Sequence, residues 1–246
     1  MKALVTGATG GVGRTLLPLL VEQGYDVYAQ WHRQEPEDVP GVTWFRKLDE
    51  LDELDVADGT LDAAIYLAGV CELGALENTT REEWDRAFDI NVTQPALMTN
   101  ELLPALRAAG GHVIYVNSGS GLTAKAGWGT YCASKFAAKA WCDTLRQEEP
   151  TLRVTSIHPG RINTPMQQKI VAAEGGTYDG TKFIQPETVA TAIMGALATT
   201  PDATPTEIMI RPRATNVARH SNDGPNGHDG ATGVALESDR RKWRPR

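Results

Sequence analysis

The chain has 246 residues, of which 41% are hydrophobic and 22% charged, and it carries a net charge of −7. That length can bury a sizeable core within a single domain, and the negative balance excludes the broad basic footprint of a nucleic-acid binder. No apolar run approaches the ~20 residues of a membrane helix, and MKALVTGATGG opens without a charged leader and long apolar stretch, so a cytoplasmic protein away from membranes is expected.

Short runs rich in β-branched and aromatic residues alternate with helical ones. In chain order the predicted strands are KALVT (2–6), DVYAQW (26–31), VTWF (42–45), AAIYLA (63–68), HVIYVN (112–117), RVTSIH (153–158) and EIMIRP (207–212). Helical patterns fill 12–23, roughly 80–109, 130–149 and 186–199. This alternation predicts parallel strands with helices on both faces: a single-domain α/β fold, a doubly wound three-layer sheet over residues 1–212. The stretch LDELDELDVADG (48–59) has room for a stub of helix at most. Residues 213–246 are polar, rich in Gly, Asn and Asp, and aperiodic, with seven Lys/Arg against four Asp/Glu, which reads as a flexible tail; a functional basic tail is the alternative. Cys71, Cys132 and Cys142 have no metal-ligand spacing and read as free thiols, and no metal site is expected.

The stretch VTGATGGVGRTLLPLL runs from the first strand into the first helix. Its glycines permit a tight turn and close backbone approach, and the following helix N-terminus favours a diphosphate. GxxxxGK[ST] and GxGxxG both fail here. Two overlapping patterns survive, TGxxxGxG (Thr6, Gly7, Gly11, Gly13) and TGxxGxxG (Thr6, Gly7, Gly10, Gly13). Further on, Tyr131 and Lys135 in YCASK stand four apart in a helical pattern and so share a face. Each of these features alone fits a solvated helix face or an ordinary turn.

Together they resemble the short-chain dehydrogenase/reductase superfamily. TGxxxGxG is similar to its compact branch and TGxxGxxG to its extended, epimerase-like branch; YCASK resembles its YxxxK motif. Ser118 in NSGSG lies thirteen residues before Tyr131, where the compact branch has its serine, with Ser120 as the nearer alternative. Asn91 matches the family's helix asparagine, and HPGRINT (158–164) resembles its PGxxxT segment. YLAG replaces the family's NNAG, keeping Ala68 and Gly69 but placing Leu67 where asparagine is usual. Leu48 stands at the usual acidic position after the third strand, with Asp49 beside it and unassigned.

The resemblance implies a Rossmann-like fold and an NAD(P)-dependent oxidoreductase that interconverts a small carbonyl compound and its alcohol. In that scheme Asn91, Ser118, Tyr131 and Lys135 are catalytic. Thr6, Gly7, Gly11, Val12, Gly13, His32, Arg33, Ala68, Gly69, Pro159, Gly160 and Thr164, with Tyr131 and Lys135, bind the cofactor. A free phenol ionises near pH ~10, so the positive Lys135, with an oxidised nicotinamide, would favour the phenolate. The resemblance adds that the lysine holds the ribose hydroxyls and that Asn91 positions a water linking it to solvent. NADP(H) is expected over NAD(H), because no carboxylate follows the second strand until Glu35 whereas His32 and Arg33 offer donors to a 2′-phosphate. Arg33 is otherwise a surface arginine opening a loop. His112 and His158 are given no role. Residues 161–185 are expected to form a substrate lid, with Met166, Ile170, Tyr178 and Phe183 hinting at an apolar pocket. The helical stretches 91–109 and 130–149 are apolar on more than one face, as in a homodimer or homotetramer, though core packing explains the pattern nearly as well. The alternatives are a non-catalytic dinucleotide-binding redox sensor or scaffold and an extended-branch epimerase; the short 160–190 region suits the epimerase poorly.

Overall fold

Seven apolar runs become seven parallel strands in one sheet of order β3-β2-β1-β4-β5-β6-β7. The computed structural model describes residues 1–32, 36–47, 50 and 59–213. The strands are β1 (Lys2–Thr6), β2 (Asp26–Gln30), β3 (Val42–Phe45), β4 (Ala63–Tyr66), β5 (His112–Val116), β6 (Arg153–Pro159) and β7 (Glu207–Ile210). The helices are α1 (Gly11–Glu22), α2 (Arg81–Phe88), α3 (Gln94–Ala109), α4 (Gly129–Glu148), α5 (Pro165–Ala173) and α6 (Pro186–Leu197). Every strand starts where the sequence places it; β2, β4, β5 and β7 end one or two residues earlier than expected, and β6 ends one residue later.

Period-two alternation divides the core into two layers. On one face Ala3, Val5, Ala63, Ile65, Ile114 and Ile157 pack with Leu16 and Leu20 of α1 and Val189 and Ile193 of α6. On the other, Leu4, Ala64, Tyr66, Val113, Tyr115 and Val154 meet Met98, Leu102 and Leu106 of α3 and Ala138, Cys142 and Leu145 of α4. This is the three-layer, doubly wound α/β domain. Its strand order reverses between β1 and β4, the position where such sheets open a crevice at their C-terminal ends.

Two helical segments depart from expectation. The run expected over roughly 80–109 is split: α2 starts at a Thr80–Glu83 capping box, a π-helical turn occupies Asp89–Thr93, and α3 resumes at Gln94. Pro95 has no N–H to offer to the carbonyl of Asn91, one turn earlier, so regular α-helical bonding cannot pass through this point. The expected lid contains α5, started by the Thr164 side chain, which accepts from the Gln167 N–H, and by Pro165 in the first turn. The flexible tail expected from residue 213 lies, from residue 214 onward, outside the described residues, as does most of 48–59, including Leu48 and Asp49.

Candidate active site

The glycine-rich turn is built by backbone packing. Gly7 adopts φ +65°, and a Cβ there would stand 2.6 Å from the amide nitrogen of Ala68. A Cβ on Gly13 would stand 2.4 Å from the carbonyl oxygen of Ala8, so α1 can leave the turn this closely only with glycine in its first turn. Thr6 accepts from the Ala68 N–H at 3.3 Å, tying the end of β1 to the start of the loop after β4. α1 begins at Gly10 without a side-chain cap and with no acid in its first turn, leaving its leading N–H groups, including those of Gly11 and Val12, without a capping side chain. That opening suits a diphosphate.

The catalytic candidates converge from the π-helical turn, the C-terminal end of β5 and the N-terminal turns of α4. Ser118 and Tyr131 line one cavity of about 240 Å³ with Asn117, Ser120, Trp128, Pro159, Gly160, Arg161, Thr164, Met166 and Ile170. Lys135 lies under this wall, 3% exposed, with its Nζ 5.9 Å from the centre of the Tyr131 ring. It donates to the Tyr115 hydroxyl at 3.0 Å and to the Val116 carbonyl at 3.3 Å. Gly69 roofs it: a Cβ there would stand 3.8 Å from Nζ. Asn117 anchors the same helical turn by donating to the Lys135 carbonyl at 3.1 Å.

Asn91 works through side chain and backbone separately. Its side chain accepts from the Val70 N–H at 2.9 Å and donates to the Val70 carbonyl and to Ser134 Oγ, each at 3.0 Å. Its backbone carbonyl accepts from the Tyr115 hydroxyl at 2.6 Å. The Tyr115 phenol thus links the Asn91 backbone to Lys135. Tyr115, Asn117 and Ser134 were not singled out from the sequence. Pro95, four residues after Asn91, is the one signal that pointed there.

Burial dominates the ionisation of the pair. It pushes the Tyr131 phenol up, the nearby Cys71 thiol adds to this, and a hydrogen bond with Ser118 opposes it. Burial also pulls Lys135 down to about 8. In the protein alone the phenol therefore stays protonated at neutral pH.

The other candidates are placed as follows. Pro159 closes β6, and Gly160 donates to the Ile210 carbonyl at 2.8 Å. His32 is exposed just beyond β2, and Arg33 lies outside the described residues. At the same edge Arg46 stacks 5.1 Å above the Trp31 ring. Of the residues expected to form an apolar pocket, Met166 and Ile170 line the cavity, whereas Tyr178 and Phe183 stack on each other at 5.4 Å. Arg161 and Lys125 stand at its edge, both paired with Glu174. His112 and His158 are buried strand residues.

A family model described as short chain dehydrogenase matches residues 46–175. A cyclopentanol dehydrogenase of Comamonas is 33% identical over 195 residues, covering 69% of this chain and 76% of that protein. A glycine betaine reductase of Emericella nidulans is 31% identical over 235 residues; the match takes in 86% of this chain, which spans only 18% of that protein's length. An alcohol dehydrogenase from Thermococcus sibiricus, solved with 5-hydroxy-NADP, superposes with a TM-score of 0.74 at 20% identity over 87% of this chain and 97% of its own, a likeness of fold. A parallel sheet reversing between β1 and β4, a tyrosine and serine on one cavity wall and a buried lysine beneath them thus accompany matches in sequence, and the chain belongs to the short-chain dehydrogenase family.

Proposed function

We propose that the chain interconverts a small carbonyl compound and its alcohol with NADP(H), using Tyr131 as acid and base. The observation that carries this reading is the shared cavity wall of Ser118 and Tyr131 above the buried Lys135. The residues fit a dinucleotide. Thr6, Gly7, Gly11, Val12 and Gly13 would hold its diphosphate at the uncapped start of α1, and Ala68 and Gly69 would line its path between β1 and β4. Pro159, Gly160 and Thr164 would flank its nicotinamide end. When bound, the nicotinamide supplies a hydride to the carbonyl carbon or takes one from the alcohol.

Hydride arrival at carbon places negative charge on the substrate oxygen. The Tyr131 hydroxyl donates its proton there, and the Ser118 hydroxyl donates a hydrogen bond to the same oxygen. The ammonium of Lys135 stabilises the phenolate that remains until a proton returns from solvent. In the alcohol-to-carbonyl direction the same groups act in reverse. Trp128, Met166 and Ile170 give the substrate an apolar wall, which suits the hydrocarbon part of a small alicyclic or aliphatic carbonyl.

The preference for NADP(H) draws support from His32 and Arg33 after β2 and from Arg46 beside Trp31, with no carboxylate until Glu35. Assembly into a homo-oligomer belongs to the same reading, supported by Leu97 of α3 and Phe136 of α4, which are exposed. The test is oxidation of NADPH and NADH against a panel of aldehydes and ketones, with the wild type and Tyr131→Phe. NADPH should give the higher kcat/KM, and the variant should lose about 100-fold to 10,000-fold in kcat while its NADPH affinity stays within a few fold. Wild-type kcat in the variant overturns the acid–base role. Tight NADPH binding with no turnover of any substrate would instead favour the redox-sensor alternative.

A further inference from the structure

The Asn91 carbonyl lacks the donor that an α-helix would give it. Residue 95, whose N–H an α-helix would aim at it, is a proline, and the chain passes the site in a π-helical turn. A buried carbonyl without a partner is costly, so a donor other than the residue 95 N–H is favoured. Tyr115 supplies it. The residue is fully buried on β5, and its hydroxyl donates to Asn91 O at 2.6 Å. That bond commits the only proton the hydroxyl has. Its oxygen can then act toward Lys135 only as an acceptor, and Lys135 Nζ lies 3.0 Å away.

We propose that Tyr115 is the positioning residue for Lys135: its hydroxyl, oriented by the proline-freed carbonyl of Asn91, holds the ammonium in place and keeps it charged. The inference rests on the reading of Tyr131 as acid and base. An ammonium has three N–H groups; Tyr115 and the Val116 carbonyl take two, and the third is left for the side where Tyr131 and the cofactor's ribose would lie. A second tyrosine beside an essential one is a liability if it can ionise. Burial holds the Tyr115 phenol far above its ordinary range, so it stays neutral and does not compete for the lysine's charge.

The titratable groups facing Lys135 are Tyr115 from β5, Tyr131 and Cys142 from α4, and Cys71 from the loop after β4. Burial pulls Lys135 down to about 8, and the nearby thiols oppose this. The charged form is therefore held only narrowly at neutral pH, and an acceptor on Nζ matters. Removing it disfavours the charged form, so the lysine must titrate at lower pH. Catalysis that needs the ammonium is present below the lysine's pKa and lost as pH rises through it, so the alkaline limb of the rate profile must move down as well.

The test is Tyr115→Phe, which deletes one oxygen and keeps the ring. In the cofactor-free protein, Lys135 is titrated by NMR through a 13C label at its Cε, the signal being assigned by its loss in Lys135→Met. A fall in midpoint of roughly half to one pH unit is expected, with the alkaline limb of kcat falling by the same amount. Turnover then approaches wild type at the acid end of the profile and drops roughly 3-fold to 10-fold on the alkaline side. A uniform loss at all pH values with the midpoint unmoved overturns the proposal, since a merely structural role would give that result. Should the variant fail to fold, wild-type NMR decides: contacts between the Lys135 Cε protons and the Tyr115 ring support it, and their absence overturns it. Tyr131→Phe separates this from the parent reading. A dead Tyr131→Phe with an unmoved Lys135 titration in Tyr115→Phe sinks only the role of Tyr115, whereas an active Tyr131→Phe sinks the acid–base reading itself.

Discussion

The floor of the site and its rim are held by different forces. Beneath Tyr131, the polar groups of Asn91, Tyr115, Ser134 and Lys135 are buried and bonded to one another or to backbone from the loop after β4, the π-helical turn, β5 and α4. At the rim, Arg161 and Lys125 share one exposed carboxylate, Glu174, at the end of α5, and both cations lie over the Trp128 ring. Buried hydrogen bonds are costly to break because the abandoned partner has no water to turn to, whereas exposed ion pairs exchange readily with solvent and salt. The floor is thus suited to fixed geometry, and the rim to adjustment around a substrate.

The strongest break in that contrast is Asn91→Ala. It abandons the N–H and carbonyl of Val70 and the hydroxyl of Ser134 together, while leaving the Asn91 backbone carbonyl for Tyr115. A stability loss of about 2–4 kcal/mol is expected, read by urea unfolding of the cofactor-free protein. A loss under about 0.5 kcal/mol would mean that water repairs the clasp and the floor is no more rigid than the rim.

Asn91 and Lys135 of the floor are legible in the sequence, as are Tyr131 and Ser118 above it, for reasons that can be located. Tyr131 and Lys135 are four residues apart on a long helix, so spacing alone predicts a shared face. Ser118 follows a strand whose apolar run fixes where the chain emerges. Tyr115 was not legible, because its role depends on which turn of the split helix lies opposite β5, and sequence periodicity carries no such long-range register. Asn91 and Pro95 lie within a helical pattern that runs unbroken over roughly 80–109, and periodicity gives no sign of the π-helical turn at Asp89–Thr93. The rim was least legible: Arg161, Glu174 and Lys125 come together only after α5 folds back.

A second break uses pH on the buried side. His112, fully buried at the start of β5, bonds through Nε2 to Thr155 Oγ1 at 2.7 Å, and that hydroxyl itself donates to the Pro205 carbonyl. Thr155 must therefore accept from the histidine, which places the ring proton on Nε2; Nδ1 has no partner among the described residues. Burial, with Arg153 nearby, lowers His112 to about 3. The folded state thus keeps the ring neutral while the unfolded chain takes up a proton below about pH 6.5. Stability from this source is complete above that pH and falls as pH drops toward about 3, by up to about 1.4 kcal/mol per unit. His112→Gln should flatten that slope between these limits in urea titrations. An unchanged slope would assign the acid sensitivity to carboxylates instead.

The smallest effect on stability is expected at the rim, from Glu174→Gln. Arg161, and then Lys125, hold the Glu174 carboxyl below its usual range, so the ion pairs are present above the ordinary carboxylate range and lost only in acid. The side chain is 28% exposed, and Lys125 Nζ lies 3.3 Å away, so solvent screens the pair strongly. Unfolding free energy at neutral pH should change by no more than about 0.5 kcal/mol. The functional consequence should be larger. Neutralising Glu174 leaves two cations at the edge of the cavity without their carboxylate, where a negatively charged substrate can answer them. Comparing a neutral ketone with its carboxylate-bearing analogue, the variant should lower KM for the anion by about 2-fold to 10-fold at low salt, with kcat little changed. Raising ionic strength to 0.5 M should erase most of that gain, because the charges are exposed. A stability loss of several kcal/mol would show that Glu174 braces α5 as firmly as Asn91 braces the floor; an equal change in KM for both substrates would show that Arg161 and Lys125 do not meet the substrate at all.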